Sequence, residues 1–379
     1  MKNYLILSLL PATAIFANES GIITNRPSEQ SAPAAPQRPI YYANEDREVC
    51  LEECREKCEP VTMVPASSRM QICDGLNLVF MGDFLYLKAE EDNLEYALQS
   101  AAPIADLVTL TQGKVHRIST DYEPGFRAGL GFLIPHDEWD LYFIWTCYRT
   151  HENASVSALP GEIIYPTMLN IFQNPQATSA SSSWHLNFNT GDIEVGRSFF
   201  AGRFFTLRPF ASARGAWIHQ GINANYGNVL YNSTAASFTS VKAHNTSSMR
   251  AFGLRLGVDV DWELGDGWNI FFNGSGSLLW SEFNINQKET LPDGTRINQI
   301  GNHLHAVTPV MEIAGGLSWG RYLFQHRYFL KIHAGWEEQI WFAQNRFSRM
   351  MDDVNPGSLV FNSGDLSLSG LNVGATLGF

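Results

Sequence analysis

The chain has 379 residues, a formal net charge of −12 and only 17% charged residues. That acidity argues against nucleic acid as a partner, because neutralising phosphate needs a basic surface. Its 31 glycines and 24 phenylalanines suit a β protein better than a helical enzyme, and a mean hydropathy of −0.13 does not exclude a membrane barrel, where alternation hides the hydrophobicity.

Lys2 and the apolar run Leu5–Phe16 form the first two regions of a secretory leader. Ile15 and Ala17 suit the −3 and −1 positions of a cleavage site, which assigns residues 1–17 to a signal peptide. Residues 18–75 are expected to be a periplasmic extension. Its first part, 18–45, is rich in Pro, Ser, Ala and Asn and reads as a linker. Asn44 to Glu59 is helix-prone and carries Cys50, Cys54 and Cys58 along one stripe. Thiols pointing the same way pair poorly with each other, so in an oxidising compartment they should reach Cys73 or another chain. No histidine lies beside them to complete a metal site, and no metal is assigned.

From residue 76 to 379 the texture is that of alternating strands. Ten segments stand out, near 76–90, 118–134, 138–153, 184–199, 203–223, 247–264, 267–284, 306–321, 326–342 and 364–379. In the sixth, Phe252, Leu254, Leu256, Val258 and Val260 alternate with Gly253, Arg255, Gly257 and Asp259. The links alternate between short (135–137, 200–202, 265–266, 322–325) and long (91–117, 154–183, 224–246, 285–305, 343–363). Short periplasmic turns and long external loops are the asymmetry of outer-membrane barrels. The pattern predicts an all-β, antiparallel up-and-down transmembrane barrel of ten strands with both termini on the short-turn side. Twelve strands are the alternative, because Gly161–Phe172 and Ile222–Tyr231 are apolar enough to pair.

Trp139, Trp262, Trp268 and Trp319 fall beside short turns, as an interfacial girdle requires. Cys147 falls on the lipid-facing set and reads as a small apolar residue. Two places break the alternation. Trp184, Leu186 and Phe188 oppose Ile193 and Val195, which predicts a bulge near Gly191. Glu338 follows Trp336 on the apolar face, which places it above the hydrocarbon band or at a bulge. The chain ends on a strand whose Asn372, Gly374, Leu377 and Phe379 resemble the assembly signal of outer-membrane barrels.

By alternation the inward charges are Arg127, Arg208, Arg214, Arg255 and Lys331 against Asp83, Asp140, Asp259, Asp261, Glu312 and Glu337. They read either as a polar lumen that passes solutes or as a salt-bridge network filling a narrow barrel. Catalytic signals are weak: His303 and His305 share a long link with Asp293, and Gly274-Ser275-Gly276 lacks the spacing of a nucleophile elbow and reads as a close strand approach.

Several stretches are similar to the pore-forming major outer membrane proteins of Legionella and chlamydia-related bacteria. They are Gly82–Glu91, Pro124–Gly131, Pro135–Tyr142, Thr206–Phe210, Gly335–Phe342 and Gly364–Leu368, spread in order over residues 76–379. The resemblance implies a porin-like outer-membrane barrel for passive diffusion of ions and small hydrophilic solutes, with no catalytic residues and no cofactor. The alternative is a non-conducting structural or adhesive barrel acting through its external loops. The expected partners are outer-membrane lipid and the barrel-assembly machinery, and, from the cysteine-bearing helix that lies outside the resemblance, disulfide-linked envelope proteins or a second copy. No nucleic acid is implied.

Overall fold

The computed structural model describes residues 68–72, 76–100, 113–134, 138–169, 175–231, 236–350, 359–361 and 363–379. The expected leader, the cysteine-bearing helix, Cys73 and the turn 135–137 lie outside the described residues.

Ten long strands form the architecture: β1 Leu78–Glu91, β2 Tyr122–Leu133, β3 Trp139–Ser157, β4 Ser179–Arg197, β5 Phe205–Tyr231, β6 Ala236–Gly265, β7 Trp268–Thr290, β8 Arg296–Leu323, β9 Tyr328–Asn345 and β10 Gly364–Gly378. Each pairs antiparallel with its sequence neighbours, and β10 pairs with both β9 and β1, so the sheet closes. Closure satisfies every strand edge from within, which hydrocarbon demands because it offers no hydrogen-bond partner.

The outer face is apolar where it must meet lipid. Leu254 is 68% exposed and Leu278 64%, with Phe84, Phe143, Ile193 and Ile313 around the same band. Trp139, Trp262 and Trp268 edge it near the short turns, and Trp145, Trp217, Trp280 and Trp336 edge it on the other side. Glu338 sits outward beside Trp336, opposite Ile313 and Ser369 in an unbroken ladder, so no bulge is needed there. Cys147 follows Trp145 on the outer face and is covered by its neighbours.

The barrel has ten long strands and not twelve. Ile222–Tyr231 continues β5, while Ile163–Pro166 joins Glu95–Ser100 and Gly113–Arg117 in a separate three-stranded sheet. Two links expected to be long, 224–246 and 285–305, are mostly strand instead. Their outward positions (Asn223, Asn225, Lys242, Asn284, Asn286) are polar, but Ala224, Tyr226, Val241, Ala243, Phe283 and Ile285 still face inward and are buried. A strand that leaves the membrane exchanges lipid for water on one face only, so its composition resembles a loop while its period stays two.

No bulge lies near Gly191. The β4 ladders with β3 and β5 run without register shift. Trp184, Leu186 and Phe188 point into the barrel together with Asp192 and Glu194, while Ile193 and Val195 face out. The inner face itself changes from charged to apolar along the strand. At the β6–β7 turn, Gly265, Asp266 and Gly267 all have positive φ (109°, 52° and 81°), and a side chain on Gly267 would collide with the Gly320 carbonyl. By contrast, Gly274 and Gly276 make only ordinary contacts, so the Gly-Ser-Gly run does not mark a close approach.

Candidate functional site: the barrel interior

The interior has two halves of opposite chemistry. Toward the short turns it holds a cavity of about 1270 Å³ whose wall is largely polar. The alternation that puts Leu254 and Leu278 in lipid puts arginines and carboxylates here, each arginine fixed by more than one partner.

Arg208 sits at the centre of one cluster. It reaches Asp140 at 2.6 Å, Glu194 at 2.6 Å and Asp259 at 2.7 Å, and its guanidinium lies 5.0 Å from the Tyr142 ring centroid. Arg255 bridges from Glu194 (2.9 Å) to Glu312 (2.9 Å) with the Phe210 ring 4.7 Å away. Arg214 takes Asp192 at 2.7 Å and also pairs with Glu312. Ser275 donates to Glu312 at 2.9 Å. On the opposite wall Arg127 contacts Glu337 at 3.0 Å and Asp83 at 3.4 Å, and Asn372 donates to Glu337 at 2.8 Å. Lys331 pairs with Asp261 at 3.0 Å. These pairs are charge-assisted and partly desolvated, the geometry in which arginine forks hold carboxylates best.

The structure thus brings together Arg127, Asp140, Arg208, Arg214, Arg255, Asp259, Asp261, Glu312, Lys331 and Glu337 around one cavity. Asp192 and Glu194 belong to the same network and escape the sequence reading, because the supposed bulge obscured their face. Uninterrupted alternation with Ile193 and Val195 was the signal that places them. Asn372 contributes to the wall, Leu377 lies on the outer face, and a side chain on Gly374 would collide with Asp83. Phe379 exchanges two backbone hydrogen bonds of 2.9 Å with Leu78 and stacks on Phe80 at 5.3 Å.

The short-turn mouth is crossed by residues 68–72. Ser68 donates to the Ser198 carbonyl at 3.3 Å, Arg69 to the Ile134 carbonyl at 2.6 Å, and Gln71 to the Tyr322 hydroxyl at 3.2 Å.

The other half of the interior is an apolar core. Leu85, Leu87, Tyr148, Trp184, Phe188, Phe283, Trp341 and Leu366 are buried to 2% exposure or less. Trp341 meets Phe188 edge-on with centroids 5.2 Å apart. One set of polar groups inside it is tied together: Gln220 donates to Glu91 and Gln344 and accepts from the Trp184 indole. Links from β1–β2 and β3–β4 close over this core. Leu94, Tyr96, Ile164 and Met168 join it, and the Tyr226 hydroxyl donates to the Tyr96 carbonyl at 2.7 Å.

The catalytic candidates do not converge. Asp293 is engaged locally by the Thr295 amide and then its hydroxyl, which hold its carboxyl below the ordinary range. His303 bonds Glu282 at 2.8 Å and packs edge-on against His305 on the outer face of the β7–β8 hairpin.

A family model described as "Legionella pneumophila major outer membrane protein precursor" matches residues 73–379. No curated protein matches the chain. Among solved structures, the outer membrane protease OmpT of Escherichia coli is 8% identical, covering 82% of this chain and 99% of its own at a TM-score of 0.39. The toluene transporter TodX of Pseudomonas putida is 12% identical, covering 81% and 90% at a TM-score of 0.27. A Pseudomonas aeruginosa FadL homologue is 7% identical, covering 83% and 96% at 0.24. Likenesses at these scores carry no argument about activity.

Proposed function

Because the chain belongs to the Legionella major outer membrane protein family, whose model spans its barrel, we propose that this outer-membrane protein is a porin-like channel for ions and small hydrophilic solutes. The observation that carries the reading is the ion-lined cavity of about 1270 Å³ inside the short-turn half of the barrel. Its charged groups offer a permeating ion replacements for part of its hydration shell. The apolar core around Trp184 and Trp341 closes the path on the external side, so conduction requires that layer to yield. Catalysis plays no part in this reading: the outward histidines of β8 and Asp293 are engaged with separate neighbours.

A second reading, a non-conducting structural barrel, draws on the same core and on the pairing of Arg127, Arg208, Arg214, Arg255 and Lys331 with carboxylates. Planar-bilayer recording of the folded full chain separates the two. The channel reading expects discrete, reproducible current steps. A silent bilayer with insertion shown independently establishes the structural reading.

A further inference from the structure

The outer surface just beyond the external tryptophans is basic on one side of the barrel. Above Trp145 on β3, past Cys147, come Arg149 and then His151. Above Trp217 on β5 comes His219, and β6 presents Arg250, His244 and Lys242. Lys288 on β7 lies directly opposite His244, and His185 on β4 lies directly opposite His151. The His185 and His219 rings are 5.7 Å apart, with His185 resting over Gly221, where any larger residue would displace it.

Glu282 on β7 is the acidic residue on the outward face at this height; it lies directly opposite Arg250 and is bonded to His303. Among the described residues, Arg149, Lys242 and Lys288 make no ion pair. Cations clustered on one face create a local positive potential that draws anions, even on a chain of net charge −12. The surface here is also concave. A groove of about 710 Å³ is lined by Asn153, Ser183, Asn225, Lys242, His244 and Lys288, a set rich in amides, hydroxyls and cations.

Height decides which anion fits. Trp217 lies directly opposite Arg250 at the edge of the apolar band and Phe252 lies within it, so Arg250 and His219 stand at the level of outer-leaflet headgroups. We propose that this face of β3–β7 docks a phosphorylated glycolipid of the outer leaflet, with Arg250, Lys242 and Lys288 on its phosphates and the groove's amides and hydroxyls on its sugars. The site lies outside the lumen, so it stands or falls separately from the channel reading.

The test uses the full chain folded in phosphatidylcholine vesicles doped with a bisphosphorylated glycolipid, with retained glycolipid counted by native mass spectrometry. Wild type is expected to retain it. Arg250→Gln/Lys242→Gln/Lys288→Gln should retain roughly a hundredfold less, since each of the three cations near an anionic surface contributes about 1 kcal/mol. Lys88→Gln, on the far side and paired with Glu90, should behave as wild type, and heat-modifiable gel mobility checks that each variant is folded. Equal retention by the triple variant, or equal retention of the same glycolipid stripped of phosphate, overturns the proposal. Complete displacement by millimolar inorganic phosphate would show a free-anion site and overturn the lipid assignment.

Discussion

At the scale of single residues, the interior ion pairs are costly to break one-sidedly. Arg214 is buried between Asp192 and Glu312, so Arg214→Gln leaves Asp192 without its cation and Glu312 with Arg255 alone. Breaking such a pair costs about 3–5 kcal/mol, and urea unfolding of the protein in vesicles should show a loss of that order. Phe379 acts at the seam, where its backbone bonds and ring join β10 to β1. Phe379→Ala is expected to lower the yield of folded protein in the outer membrane, and an unchanged yield would count against an assembly role for the terminal residue. Most interior charges were legible from alternation alone, Arg255 and Asp259 being examples. Asp192 and Glu194 were not, because apolar residues were assumed to share one side of β4. In this barrel an apolar side chain can face lipid or a packed lumen, and period two does not distinguish these.

At the scale of elements, the same ambiguity explains where strands were legible and where loops were misread. The membrane-crossing part of β6 shows a clean alternation because lipid and lumen differ in polarity. Beyond the band, Asn223 and Lys242 replace leucine outside while Tyr226 and Val241 stay inside, so hydropathy falls although the ladder continues. The three-stranded sheet over the core was not legible, since its members come from two different links. The packed layer formed by Phe188 and Trp341 predicts a functional effect. Trp341→Ala should cost about 3–5 kcal/mol in stability and, in the channel reading, increase the size or frequency of current steps. Steps unchanged in a folded variant would mean that ions do not pass this layer.

At the scale of the whole molecule, the interior charge is lopsided. The cavity is lined by Arg127, Arg208, Arg214, Arg255 and Lys331 together with Arg69, Arg321 and Arg327, eight cations against ten carboxylates once Asp192, Glu194, Glu263 and Asp266 are added to the six identified from sequence. An excess of carboxylate favours cations in a narrow polar path. Reversal potentials measured under a potassium chloride gradient should therefore favour potassium over chloride, and a preference for chloride would contradict this account of the wall. Outward, the strand lengths give the barrel an uneven height. β5, β6, β7 and β8 run 27, 30, 23 and 28 residues, against 14, 12 and 15 for β1, β2 and β10. A crossing takes only about 9–11 residues, so the surplus stands as paired sheet in water on one flank. Digestive enzymes need an unpaired stretch of chain to thread into their clefts. On that flank the β7–β8 hairpin offers only the five-residue turn Leu291–Thr295, which makes this tall part of the cell-surface rim a shield against proteolysis.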